Sequence, residues 1–133
     1  MKITGSISMN IKWGLYPWFI EHGTELIHPD DLEKFRKETN NCKVFQCIEE
    51  GNYITLKYND RLYRVKDNLF RPVPIPKFDF GEEIEIVKNK EKVIITDIMW
   101  HYKKQEHYYF VSSQNRKKSK RYFGEELIYH SRA

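Results

Sequence analysis

The sequence predicts a mainly β protein with two small antiparallel barrels or strongly bent sheets and one short N-terminal helix. Aromatic residues make up 15% of the 133 residues and charged residues 32%, a mixture typical of strands that pack one face and expose the other. Three prolines at alternate positions, Pro72, Pro74 and Pro76, interrupt the strand pattern near the middle. A chain of this length holds one ordinary domain or two very small ones.

The first predicted strand lies near the N-terminus. Residues 7–13 alternate between apolar and polar side chains, which is the period of a half-buried strand. Residues 15–20 are densely apolar and aromatic but contain Pro17. We interpret this second segment as either a strand or an irregular packed segment, because proline is confined to the edges of sheets.

One short helix is predicted over residues 28–37. Pro29 stands at a first helical position, acids follow it and bases close the segment, as is typical of helix ends. Leu32 and Phe35 are three residues apart and are its only candidates for burial. A helix with so narrow an apolar face lies against a sheet and does not form a bundle.

A β-hairpin is the clearest local prediction, after a strand at residues 43–48. Two apolar runs, residues 52–58 and 61–66, flank Asn59 and Asp60, which together supply a two-residue turn of positive φ. With this turn the apolar side chains fall on one face, as a hairpin requires. The predicted partners are Tyr58 with Arg61, Leu56 with Tyr63, and Ile54 with Val65.

The three alternating prolines predict a semi-rigid connector at residues 72–76. It would separate an N-terminal unit, residues 1–71, from a C-terminal unit, residues 77–133. In the C-terminal unit, regular alternation places Val93 and Ile95 on one face and Ile98 on the other. Its predicted strands cover residues 83–87, 93–100, 107–112 and 117–122, and a helical turn over residues 124–127 closes it.

The positive charge of the chain is concentrated at its C-terminal end. Residues 1–113 contain 17 Lys and Arg and 17 Asp and Glu, whereas residues 114–133 contain six basic and two acidic residues. The net charge of +4 therefore resides in the last twenty residues. Such an asymmetry indicates a partner with negative charge.

Basic and aromatic residues alternate at this end and form the candidate binding surface. This pattern is typical of surfaces that follow a phosphate backbone while stacking on bases. It also fits an acidic protein partner, or a solvated edge strand that lysines protect against aggregation. The candidate binding residues are Trp100, His101, Tyr102, Lys103, Lys117, Lys118, Lys120, Arg121 and Tyr122.

A second aromatic cluster lies between Trp13 and His28. It could line a small-ligand pocket or a protein-binding surface, although such clusters more often form core. Its members are Trp13, Tyr16, Trp18, Phe19, His22 and His28.

The sequence contains no metal-ligand spacing or catalytic motif that would predict an enzyme or a bound cofactor. The five histidines show no ligand spacing such as HxxxH, and the chain has no phosphate-binding glycine loop or nucleophile elbow. Cys42 and Cys47 are interpreted as reduced and structural. No segment approaches the length of about 20 apolar residues that spans a bilayer, so we expect a cytoplasmic protein without a membrane partner.

The run Phe80-Gly81-Glu82-Glu83-Ile84-Glu85-Ile86, followed by residues 93–95, 97–98 and 108–110, resembles the strands of SH3-like barrels of the Tudor and KOW type. The resemblance implies a small five-stranded barrel in residues 77–133. The whole chain also resembles small proteins of Gram-positive bacteria and their phages, some of which act as immunity or anti-defence factors. No functional residue is implied by either resemblance.

A short similarity within the sequence leaves open whether the chain contains an internal repeat. Tyr63-Arg64-Val65 before Leu69 resembles Arg121-Tyr122-Phe123 before Leu127.

Together these observations predict a non-catalytic binding protein that contacts another macromolecule through its basic and aromatic C-terminal hairpin. A protein partner is preferred, an immunity or anti-defence inhibitor is one form of this function, and a nucleic-acid-binding small barrel is the alternative.

Overall fold

The computed structural model describes residues 11–38 and 42–129, and the chain divides into two compact units, Met1–Ile75 and Pro76–Ala133. The part of the predicted first strand before Ile11 lies outside the described residues. Both units are antiparallel sheets, which confirms the mainly β prediction. No helix in the described residues is long and apolar enough to cross a membrane.

The described residues of the first unit form five strands and one α-helix. The sheet order is β4-β3-β2-β1-β5, and every neighbouring pair is antiparallel. Short 3₁₀ turns lie at Ile20–His22, Thr24–Leu26 and Asp67–Leu69. The strands are β1 (Ile11–Leu15), β2 (Phe45–Glu50), β3 (Tyr53–Tyr58), β4 (Arg61–Val65) and β5 (Arg71–Pro72), and the helix α1 is Leu32–Lys37.

The predicted hairpin register is confirmed by β3 and β4. Tyr58 lies opposite Arg61, and the two pairs beyond it match those predicted. Asn59 has the predicted positive φ, 59°, whereas Asp60 does not share it, so only the first turn residue is left-handed. The apolar partners of this hairpin face the core, since Ile54, Leu56, Tyr58, Tyr63 and Val65 are all buried.

The helix α1 is shorter than predicted. Residues 29–31 form a turn, so the helix begins at Leu32, three residues after the predicted proline position. The carboxylate of Asp31 instead accepts hydrogen bonds from the backbone N–H of Arg64 at 2.7 Å and from its guanidinium at 2.9 Å. Asp31 is the N-cap residue of α1, but its side chain caps no N–H of the helix and pairs with β4 instead.

Phe35 is the side chain that attaches α1 to the sheet. It is completely buried, whereas Leu32 is only half-buried. Aromatic side chains surround its ring, with centroids 5.0 to 6.1 Å away, distances at which ring pairs attract one another. These rings are Tyr16, Trp18, Phe45 and Tyr63.

The first residues of the predicted connector belong to the first sheet. Arg71 and Pro72 form β5, which pairs with Leu15 and Gly14, and the N–H of Val73 donates to the carbonyl of Trp13 at 2.9 Å. Proline is tolerated there because β5 is an edge strand. The division between the compact units falls at Ile75 and Pro76.

In the second unit, residues 76–129 are described and contain six strands. Their order is β10-β8-β7-β6-β11, and β9 also pairs with β8. A 3₁₀ turn, Gly124–Glu126, precedes the last strand. The strands are β6 (Glu83–Ile86), β7 (Lys92–His101), β8 (Glu106–Ser113), β9 (Arg116–Lys117), β10 (Tyr122–Phe123) and β11 (Leu127–Tyr129).

Two strands of this unit differ from the prediction. The strand predicted over residues 117–122 is split into β9 and β10, both paired with β8, with irregular chain between them. In β7 a β-bulge at Thr96 changes the phase of alternation, because Ile95 faces Val111 whereas Asp97 faces Phe110. Ile98 is therefore buried on the same side as Val93 and Ile95, contrary to the regular alternation expected from the sequence.

The two units share one strand order. In each, four meandering main strands are followed by a 3₁₀ turn and a short strand that returns beside the first strand. The two similar tripeptides occupy equivalent places, one within β4 and the other formed by Arg121 and β10, each shortly before its 3₁₀ turn. The units differ most in the connection between their first two strands, which is residues 16–44 in the first unit and residues 87–91 in the second.

A buried carboxylate joins the C-terminal end of α1 to the sheet of the first unit. Glu38 accepts hydrogen bonds from Lys43, from Tyr63 and from two nitrogens of Arg61, at 2.8 and 3.0 Å for the guanidinium. Burial alone would raise the pKa of Glu38, but these donors outweigh burial and lower its pKa to about 2.

We predict that Glu38→Gln destabilises the protein by about 2–3 kcal/mol at neutral pH, because Lys43 and Arg61 lose their shared counter-charge. Since the pKa of Glu38 is lower in the folded state than its ordinary value of 4.5, its contribution is present above pH 4.5 and is lost as the pH falls toward 2. Urea unfolding at pH 7 and at acid pH measures both effects. Glu33→Gln, which removes an exposed acid of α1, is the control and should change little.

We predict that the thiol of Cys47 reacts with a disulfide reagent only when the protein unfolds. Cys47 is buried in β2, and burial raises its pKa to about 11, so almost no thiolate is present at neutral pH. Cys42→Ser isolates this thiol for measurement of reaction kinetics with and without urea. Equal rates in the two conditions would contradict the burial of Cys47.

Candidate binding face

The outer surface of β8 is aromatic because Tyr and Phe occupy both phases of its alternation. Tyr109 and Val111 point into the core, where they are 1% and 0% exposed. Tyr108 and Phe110 alternate with them and are half-exposed on the opposite surface. A strand that is aromatic on both faces therefore supplies core and surface at once.

Four rings meet on this surface. Phe123 of β10 lies directly opposite Tyr108 of β8, and His101 of β7 lies diagonal to Tyr108, since its own partner in β8 is Glu106. Phe123 lies with its centroid 5.6 Å from His101 and 5.9 Å from Tyr108, and Tyr108 lies 5.9 Å from Phe110. All four rings are half-exposed.

Three cations of the second unit lie over these rings. The ammonium of Lys104 is 4.3 Å from the centroid of Phe123, and that of Lys117 is 5.8 Å from Phe110. The guanidinium of Arg121 lies 5.2 Å from Tyr108 and 5.5 Å from Phe123. Each contact contributes about 0.5–1 kcal/mol at an exposed site. We name this surface the aromatic–basic face: His101, Tyr108, Phe110, Phe123, Lys104, Lys117 and Arg121.

Local structure places the cations. The turn between β7 and β8 is closed by hydrogen bonds from the N–H of Gln105 to the carbonyl of His101 at 2.8 Å and from the N–H of Lys104 to its ring at 3.1 Å. Gln105 has a φ of 56° in this turn. Arg121 directly precedes β10, so its position follows from the pairing of β10 with β8.

Two candidate binding residues lie in the core instead of on the surface. Trp100 is 5% exposed and Tyr122 is 7% exposed, so neither presents its ring to a partner. The bulge at Thr96 turns Trp100 inward, and Tyr122 is the inward neighbour of Phe123. Sequence reasoning therefore missed Tyr108, Phe110 and Phe123, although strict alternation with Tyr109 and Tyr122 would have identified them.

Acidic partners neutralise much of the basic run. Lys117 pairs with Asp97 at 2.7 Å, Lys118 with Glu91 at 3.2 Å, and Lys120 with Glu126 at 3.9 Å. Lys104 and Arg121, by contrast, form no ion pair within the described residues and lie on rings. The remaining candidates, Tyr102 and Lys103, are exposed on the β7–β8 turn.

The second aromatic cluster is divided between the core and the surface. Trp13, Tyr16 and Trp18 are buried, and the hydroxyl of Tyr16 donates to the carbonyl of Lys66 at 2.5 Å. Burial raises the pKa of Tyr16 well above its ordinary value. Phe19 and His22 are exposed instead, and their rings lie 6.0 Å apart.

The acids in the deepest polar sites of the first unit already have partners. An open groove of about 620 Å³ beside α1 and β4 includes Glu38, whose carboxylate is bound by three side chains. Hydrogen bonds from Arg64 likewise lower the pKa of Asp31. No three His, Cys, Asp or Glu side chains of residues 11–38 and 42–129 converge as metal ligands.

Fold and surface together define a small, mainly β protein of two topologically equivalent units, one of which displays a half-exposed aromatic surface with cations over its rings. The chain belongs to DUF6960, a family of unknown function whose model matches residues 7–128. No curated protein matches it. No solved structure matches it either.

Proposed function

We propose that this protein is a non-catalytic binding protein that engages another protein through the aromatic–basic face. One observation carries the proposal: the outer surface of β7, β8 and β10 has four half-exposed rings, and Lys104 and Arg121 lie over two of them without an ion pair to any acid of the described residues. Aromatic residues and arginine are enriched at protein interfaces and dominate their binding energy.

The face is suited to binding because its side chains are held in place before a partner arrives. Tyr108 and Phe110 stand on the central strand β8, which has β7 on one side and β9 and β10 on the other. Arg121 rests on two rings. Pre-ordering reduces the conformational entropy that association would otherwise cost. The complementary partner surface would carry apolar side chains beside carboxylates.

Nucleic acid is the second candidate, because rings and cations together also bind single strands. The ion pairs favour protein over nucleic acid. Contacts between phosphates and Lys117, Lys118 or Lys120 would have to compete with Asp97, Glu91 and Glu126, which lie within 4 Å of these lysines.

Three finer features belong to the same proposal. The five-strand order with a 3₁₀ turn before the last strand supports an SH3-like character for the second unit. Free Cys42 and Cys47 support a reducing, cytoplasmic location. The resemblance to small bacterial and phage proteins supports an inhibitory role, as an immunity or anti-defence factor.

We predict that Arg121→Glu and Lys104→Glu each reduce capture of the native protein partner about tenfold or more, since each places an acid opposite the partner's acids. Capture by immobilised protein from the native host, quantified for each variant, measures the loss. Lys88→Glu makes the same charge change in the β6–β7 turn, at the other end of β7, and is the matched control. Equal capture by all three variants would show that the face is not the binding surface.

We predict that a labelled single-stranded oligothymidine binds weakly, with little dependence on salt. The nucleic-acid function would instead require phosphate contacts with Lys117, Lys118, Lys120 and Arg121. Four such contacts would give a plot of log affinity against log salt concentration a slope of about −3. Fluorescence anisotropy over a range of salt concentrations measures this slope. A steep slope that Arg121→Glu reduces would favour the nucleic-acid function.

A further inference from the structure

The first unit displays a segment whose chemistry is opposite to that of the aromatic–basic face. Residues 13–33 contain five acids and no Lys or Arg. Within this segment, Phe19 and Ile20 are adjacent large apolar side chains that are 50% and 53% exposed. Glu21 and Glu25 follow them in the chain and are also exposed. We name these four residues the acidic knob.

Hydrogen bonds hold the acidic knob in one conformation. The N–H of Phe19 donates to the ring of His22 at 2.9 Å, and the N–H of His22 donates back to the carbonyl of Phe19 at 2.9 Å. The carbonyl of Gly23 accepts from the indole of Trp18 at 3.0 Å. Trp18 is itself buried beside Phe35, with ring centroids 5.9 Å apart. The exposed side chains are thus presented by a turn that is anchored in the core.

The acidic knob belongs to the connection between β1 and β2, which is where the two units differ most. The corresponding connection of the second unit is only residues 87–91. The first unit is therefore the one that carries the knob, and the second unit the one that carries the face. Each chain displays both halves of a complementary pair.

We propose that the acidic knob of one copy of this protein binds the aromatic–basic face of a second copy. Phe19 and Ile20 would pack on the rings of Tyr108 and Phe123, and Glu21 and Glu25 would approach Lys104 and Arg121. This inference rests on the proposed function, because it names the partner of the same face. The argument is charge complementarity joined to exposed apolar area on both sides.

The contact is heterologous, since the two copies contribute different surfaces. Two apolar side chains and two carboxylates make a small interface, and small interfaces support weak and transient association. We expect self-association with a dissociation constant on the order of 100 µM. Added salt should weaken it, because part of the attraction is between exposed charges.

Sedimentation velocity of the full chain, from about 10 µM to about 1 mM, tests the inference around the expected dissociation constant. The wild type should show a sedimentation coefficient that rises with concentration. Ile20→Asp removes an apolar side chain of the acidic knob, and Arg121→Glu reverses a charge of the aromatic–basic face. Each variant alone should therefore remain monomeric. Glu21→Lys is a second knob variant, in case Ile20→Asp unfolds, and thermal unfolding of each variant checks its fold. Lys88→Glu is the control and should associate like the wild type.

Mixing the two defective variants gives the most specific result. The knob of Arg121→Glu is intact and so is the face of Ile20→Asp, so an equimolar mixture should form a dimer and nothing larger. A wild type that is monomeric at the highest concentration would overturn the inference, as would a mixture that stays monomeric or variants that associate like the wild type.

The proposed function and this inference can fail separately. If the wild type is monomeric but Arg121→Glu still weakens capture of a host protein, self-association is wrong and the face binds a different protein. If the knob and face associate as expected but Arg121→Glu captures the host protein normally, the inference holds and the face is not the surface for that host protein.

Discussion

The β-bulge at Thr96 is the constraint on which the aromatic–basic face depends. It adds one residue to β7 opposite β8, so that Ile98 and Trp100 follow Ile95 into the core. Without the bulge, regular alternation would turn Trp100 outward and His101 inward. The bulge thus aligns His101 with Tyr108 and Phe123 and makes a continuous ring surface from three strands.

The two units use one strand order for different purposes. In the first, the connection between β1 and β2 includes α1, and Phe35 of that helix fills a cluster of aromatic rings. In the second, the corresponding connection is a short turn, and aromatic residues such as Tyr108 and Phe110 lie on the outer surface of the sheet. The longer connection between β1 and β2 gives the first unit an ion-pair network around the buried Glu38. The second unit has no such long connection within its described residues and exposes part of its aromatic rings to solvent.

Several ion pairs of this protein join residues that are distant in sequence. Lys118 meets Glu91, and Arg64 meets Asp31, across 27 and 33 positions. The cluster of bases near the C-terminus is consequently less cationic at the surface than the sequence indicates. What remains distinctive is the pairing of Arg121 with rings, which leaves its charge available to a partner.

Local sequence by itself determined the mainly β class and the register of the β3–β4 hairpin, because Asn59 and Asp60 set the turn and a shift by one residue would expose every apolar partner. The basic and aromatic C-terminal end was also evident as a candidate surface. Only the tertiary structure decided that Asp31 pairs with β4 instead of capping α1, which lysines are neutralised and which rings face solvent. These outcomes depend on Arg64, on distant acids and on a bulge, and none of these contacts leaves a periodic signal in the neighbouring sequence.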